Sequence, residues 1–226
     1  SEFKSLGYLP EALINFMALL GWNPGGDRET FSMAELIKEF NLAKVQKSGA
    51  VFNLEKLDWI NGEYIRKKSP AELTTLAVPY LGDFLQFPTT NDQFTMEYVE
   101  KVIALEQPRL KKLSEIGERA DYFFREPEYD AELLNWKEMS GEEIKNSLAK
   151  SVEMISDLPS AASSEEIEKK FLEVIGAEDK GRLLWPLRIA LTGKKASAGP
   201  FEIIEIMGKE KALARVQQAL QKIGQK

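Results

Sequence analysis

The 226-residue chain contains no histidine and no cysteine. Without histidine, the usual proton shuttle near neutral pH, the commonest zinc ligand and the base of serine-type triads are all missing. Carboxylate or lysine chemistry stays open, but the balance moves from enzyme toward binding module. The lack of cysteine excludes disulfides and thiolate metal sites, and it suits a reducing, cytoplasmic setting. No apolar run approaches the roughly eighteen residues of a membrane span. Ser1-Glu2-Phe3-Lys4 opens straight into a structured-looking segment, with no basic-then-apolar leader. The expectation is a cytoplasmic protein without a membrane partner.

What is present is ordinary for a globular protein. Hydrophobic residues make up 43% and charged residues 29%, which is enough apolar surface for a packed core. The length suits one large or two to three small helical units.

The net charge of -6 is an average over unlike regions. Residues 69–130 carry six basic and twelve acidic side chains, whereas 180–226 carry ten basic and three acidic. From Lys180 to Pro200 there are five basic residues (Lys180, Arg182, Arg188, Lys194 and Lys195) and no acidic one. Local field, not net charge, decides whether a phosphate backbone is attracted. A solvated helix end accounts for so small a cluster equally well.

Helix signals recur along nearly the whole chain. Pro10 stands at a first-turn position ahead of Leu13, Phe16, Met17 and Leu20, and Gly21 closes that run. Ser32-Met-Ala-Glu35 has the capping-box pattern, and Ser69-Pro-Ala-Glu72, Ser140-Gly-Glu-Glu143 and Ser163-Ser-Glu-Glu166 start further helices. Asn53 caps a helix through Ile65, Thr95 begins one that Pro108 interrupts, and a final one runs from about Lys209 to Ile223. No stretch alternates with period two. The predicted fold is all-α, as consecutive helical bundles.

Polar joints at Lys67-Lys68-Ser69-Pro70 and at Glu126-Pro127-Glu128-Tyr129-Asp130 divide the chain into 1–67, 68–130 and 131–226. Trp22 and Trp59 read as core residues, and Trp185 as a packing residue beside the basic window. Pro24-Gly-Gly-Asp27 reads as a turn and not a phosphate loop, since it lacks the lysine and the helix start. Lys112-Leu-Ser-Glu115 reads as an ordinary helical face.

Three blocks carry a family resemblance. Gly7-Tyr-Leu-Pro-Glu-Ala-Leu13 with Leu19-Leu-Gly-Trp22 resembles the segment after the catalytic signature loop of glutamyl-tRNA synthetases. Phe52-Asn-Leu-Glu-Lys-Leu-Asp-Trp-Ile-Asn-Gly62 with Tyr64-Ile65-Arg66 resembles their stem-contact region. Pro186-Leu-Arg-Ile-Ala-Leu-Thr-Gly193, Gly199-Pro-Phe-Glu202 and Gly208-Lys-Glu-Lys-Ala-Leu213 resemble their anticodon-binding end. The blocks occur in family order across essentially the whole chain.

The resemblance implies a stem-contact-like region over 1–67 and two anticodon-binding helical subdomains, 68–130 and 131–226. The partner it implies is tRNA carrying a glutamate anticodon, bound by a monomer, with no DNA partner. The histidine-containing signature and the lysine-serine-lysine loop of class I synthetases are missing, so this stretch should not charge tRNA alone. ATP and Mg belong to the full-length enzyme, and no cofactor or metal is expected here.

Matched residue by residue, the resemblance assigns anticodon contacts to Arg109, Arg188, Ser197, Gly199, Pro200 and Phe201. Arg109 matches the position where members that discriminate against glutamine tRNA carry arginine and tolerant members carry glutamine. Phe201 would stack an exposed ring on an unstacked base. The family often has proline where this chain has Ala198. Lys47, Lys56, Arg66, Lys194 and Lys195 are candidate contacts to the tRNA backbone. Two other readings stand beside this one. One is a helical protein–protein module, which predicts an exposed apolar groove and salt-insensitive binding. The other is a carboxylate enzyme built on Glu126, Glu128 and Asp130.

Overall fold

A computed structural model describes residues 2–46, 51–82, 94–176 and 179–224, and their architecture is all-α. The helices are α1 (Glu2–Ser5), α2 (Pro10–Gly21), α3 (Met33–Glu39), α4 (Leu54–Arg66), α5 (Pro70–Ala77) and α6 (Met96–Glu106). They continue with α7 (Glu115–Phe124), α8 (Gly141–Ser156), α9 (Ser164–Ile175), α10 (Lys180–Thr192), α11 (Pro200–Met207) and α12 (Lys209–Gly224). The extended backbone among the described residues amounts to an isolated bridge between Trp22 and Val45. The chain divides into two compact units, Ser1–Ala120 and Asp121–Lys226, with the boundary inside α7.

The helix starts are set by side chains within four residues. Ser32/Glu35, Ser69/Glu72, Ser140/Glu143 and Ser163/Glu166 all form reciprocal capping boxes, each satisfying two donors that the first turn leaves open. Asn53 caps α4 and Thr95 caps α6, as their positions predict. Pro10 and Pro70 occupy first-turn positions, where a missing N–H costs nothing.

In the first unit, α2 packs on α4 and α5 on α6, around Phe16, Leu57, Ile60, Ile65, Leu73, Val102 and Ile103. Two buried asparagines tie loops to this core. The Asn61 carboxamide accepts from Leu9 N at 2.8 Å and donates to Lys111 O at 2.6 Å. Asn15 accepts from Phe31 N and donates to Glu29 O. Gly7 has φ +80°, and a Cβ there would lie 2.6 Å from Leu113 N, so the backbone approach excludes any side chain. Leu113 N donates to Gly7 O in that contact.

Two expectations need correction in this unit. Trp59 is 45% exposed, because α4 turns Leu57, Ile60, Asn61, Tyr64 and Ile65 inward and position 59 falls on the opposite face. Lys112–Ser114 is a turn ahead of α7, not a helical face, since Leu113 is drawn onto Gly7. The Pro24–Asp27 stretch is a turn as predicted, with Gly25 and Gly26 at positive φ.

In the second unit, α8, α10 and α12 pack together around Leu148, Ile155, Leu187, Leu191 and Val216, while α9 meets α11 through Phe171 and Phe201. Helix α10 continues through Pro186. Proline has no N–H for the carbonyl four residues back, that of Arg182. The Ser147 hydroxyl donates to that carbonyl at 2.9 Å and replaces the missing bond.

Candidate nucleic-acid interface

Arg109 sits in a single 3-10 turn, Gln107–Arg109, that follows α6 directly. Its Nη1 donates to both carboxylate oxygens of Glu106, at 3.0 and 3.3 Å. Glu106 is completely buried, while the Arg109 side chain keeps 29% of its surface. The turn is fastened to the end of α4. Gln107 Nε2 donates to Ile65 O and Lys68 O, both at 2.8 Å, and Arg66 Nη1 reaches Pro108 O at 3.4 Å. Arg66, expected as a phosphate contact, thus touches this turn and also pairs with Glu63 within α4.

Arg188 lies on α10 and faces the loop between α10 and α11. Its Nη1 donates to Ser197 O at 2.9 Å, Ser197 Oγ at 2.7 Å and Ala198 O at 2.8 Å. Gly193 ends α10 in the left-handed conformation, and Gly199 and Pro200 begin α11 as N-cap and first residue. Arg188, Ser197, Gly199 and Pro200 are therefore brought together at one loop, with Arg188 as its brace. Phe201 is corrected on one point: it is buried and packs on Phe171 at 5.5 Å, so it offers no exposed stacking face. Trp185 is a packing residue that stacks on Trp136 at 5.1 Å and donates to Leu133 O at 2.8 Å.

The acid-free window of the sequence is not acid-free in space. Arg182 pairs with Glu143 at 2.7 Å and Lys194 with Asp121 at 3.1 Å. Lys195 is exposed, with no ion pair among the described residues. In the first unit, Lys56 pairs with Glu29 at 2.6 Å. Lys47 lies outside the described residues.

Asp179, the N-cap of α10, accepts from Lys137 Nζ, Gly181 N and Trp136 Nε1. These donors, Lys137 foremost, hold its carboxyl down to about 2 from an ordinary 3.8. A depressed carboxyl stabilises the fold fully above its ordinary value and loses that contribution as pH falls through the folded value. Acidification from about pH 5 to about pH 2 should thus lower the thermal midpoint of the parent more than that of Asp179→Asn, read by tryptophan fluorescence. Parallel losses in the two proteins would show that the cap contributes nothing.

Residues 72–220 match the family model described as an anticodon binding domain. Residues 1–59 match the model described as the catalytic domain of class I tRNA synthetases (E and Q). A glutamate–tRNA ligase of Desulforamulus reducens is 38% identical over 97% of this chain and 46% of its own length. One from Clostridium botulinum is 38% identical over 98% of this chain and 45% of its own. The chain belongs to the glutamyl-tRNA synthetase family. A crystal structure of a glutamate tRNA ligase from Elizabethkingia meningosepticum, in complex with its amino acid, superposes with a TM-score of 0.78 at 31% identity. That match covers 97% of this chain and 42% of the other. The chain thus spans under half the length of the curated relatives it matches.

Two cations that cap buried carbonyls in this synthetase-family chain were not evident from sequence. Arg215 on α12 is 1% exposed. It donates to Leu191 O at 2.6 Å and Arg125 O at 2.9 Å, and its Nε lies 3.4 Å from Glu126. Lys211, one turn earlier, donates to Phe123 O at 2.8 Å. Burial, and after it the neighbouring Arg215, pushes the Lys211 ammonium down to about 8. Both cations cap carbonyls at the C-terminal ends of α7 and α10, where the helix dipole favours positive charge. Glu126 therefore serves an ion pair and Asp130 caps the following turn at Glu132 N. Two of the three acids in that candidate carboxylate cluster thus have structural roles.

Proposed function

We propose that this chain is the tRNA-binding portion of a glutamate–tRNA ligase, reading the anticodon of glutamate tRNA through Arg109 and Arg188. The supporting observation is the anticodon-binding match over 72–220, which takes in both arginines and the loop that Arg188 braces. Sequence-specific RNA readers take splayed, single-stranded bases and bond their edges, and an anticodon loop presents three of them. A guanidinium is planar, permanently charged and carries parallel donors, which suits base acceptors. Ser197, Gly199 and Pro200 form the surface beside Arg188, and Lys195 is the open cation next to it. Ligation of glutamate to tRNA, with ATP and Mg, is assigned to the longer protein and not to these residues.

An apolar groove of about 540 Å³ runs between α2 and α3, lined by Met17, Trp22, Leu36, Ile37 and Phe40. It lies wholly within the stretch that matches the catalytic-domain model.

Filter binding of the purified chain to transcripts tests the reading. Glutamate tRNA should be preferred over an unrelated tRNA at low salt, and affinity should drop steeply as salt rises. Arg188→Ala should weaken glutamate tRNA binding by about 1–3 kcal/mol. Equal affinity for both tRNAs at low salt, or aminoacylation by this chain alone, would contradict the proposal.

A further inference from the structure

A completely buried carboxylate is costly unless a cation and hydrogen bonds compensate it. Glu106 is such a carboxylate, and its bonds to Arg109 span the 3-10 turn that follows α6. Both oxygens act on the same guanidinium nitrogen, Nη1, from within the fold. Nε and Nη2 of Arg109 have no hydrogen-bond partner among the described residues. Those two atoms form one edge of the guanidinium and carry its parallel pair of donors. The partially exposed side chain is therefore held by one corner with its recognition edge unspent.

We propose that Glu106 is the positioning residue for Arg109, fixing the guanidinium so that the Nε–Nη2 edge meets a base. This rests on the reading of Arg109 as an anticodon reader. The turn has no slack to do the job otherwise. Gln107 fastens it to the carbonyls of Ile65 and Lys68, and Arg66 fastens the carbonyl of Pro108. With the backbone fixed on α4, the remaining freedom is in the arginine side chain, and Glu106 removes it. A guanidinium restrained before binding loses less rotamer freedom when the base arrives, which favours the matched base over one that cannot use the edge. A lysine in the same place would have no second edge to present.

The test is a double-mutant cycle on the whole chain, read as the ratio of affinities for glutamate and glutamine tRNA transcripts. Glu106→Gln keeps the shape but gives up the charge and one acceptor. It should lower the ratio about tenfold in the parent, the scale of a weakened bidentate base contact. In the Arg109→Gln background it should change the ratio no further. A purely structural Glu106 would lower both affinities together without moving the ratio, and that result overturns the proposal. If Arg109→Gln collapses the ratio while Glu106→Gln leaves it intact, positioning fails and the reading of Arg109 stands. If Arg109→Gln leaves the parent ratio unchanged, the reading itself fails and the positioning role falls with it. Should Glu106→Gln unfold the parent, its folding is compared in the Arg109→Gln background. Folding restored there supports the pair, and unfolding in both assigns Glu106 to the core alone.

Discussion

Replacing Arg215 with alanine is expected to destabilise the second unit by about 3–5 kcal/mol, the scale of two lost charged hydrogen bonds plus the cavity left behind. The side chain is 1% exposed and supplies donors to the carbonyls of Leu191 and Arg125. Its loss leaves an internal cavity, and an acceptor that water replaces poorly costs more than the bond contributed. Glu126 is 60% exposed, so it regains solvent and adds little to the loss. Arg215→Lys should recover only part, because one ammonium cannot reach both carbonyls with the planar geometry of a guanidinium. Chemical denaturation followed through Trp136 and Trp185 measures the effect in this unit. A loss below about 1 kcal/mol would show the carbonyls to be satisfied from elsewhere.

On the proposed reading, Arg109→Gln should cut the preference for glutamate over glutamine tRNA by about 2–3 kcal/mol, roughly 30- to 150-fold. The two anticodons share their first two letters and differ at the third, cytosine against guanine. Cytosine presents a carbonyl and a ring nitrogen side by side as acceptors, matching the parallel donors on the Nε–Nη2 edge of Arg109. Guanine on its pairing edge turns two donors and one acceptor toward the same guanidinium, so donors face donors. Glutamine carries both a donor and an acceptor, and bonds either base. The loss should therefore come mainly from tighter binding of glutamine tRNA, with glutamate tRNA retained. Competition binding with the two transcripts measures the ratio. If the variant rejects glutamine tRNA as strongly as the parent, the specificity lies in other residues.

What was legible in the sequence was local. Each of the four Ser-x-x-Glu starts is a capping box because the two side chains lie three residues apart and the helix brings them together. The all-α architecture followed from such starts and from apolar spacing. Distance along the chain is where reading stopped. The basic window looked unopposed, yet Glu143 lies 39 residues before Arg182 and still reaches it. Trp59 looked apolar and therefore buried, but the burial of a helix residue depends on its angle to a neighbour that the sequence does not name. Arg215 carried no signal at all, since a charged residue between Leu213 and Val216 reads as solvent-facing. The partner of Arg109 stood three residues away and was within reach of sequence reasoning; the burial of Glu106 was not.

The two cations of α12 also set a schedule. Phe123 and Arg125 leave the ribosome 88 and 90 residues ahead of the side chains that cap their carbonyls. At about 5–20 residues per second, that gap lasts roughly 5 to 18 s, far longer than a helix needs to form. The first unit can complete its own packing in that interval. Until then the end of α7 lacks the two cations that cap it. A nascent chain paused within α8–α11 would leave this helix end uncapped, and release of α12 would supply the cap.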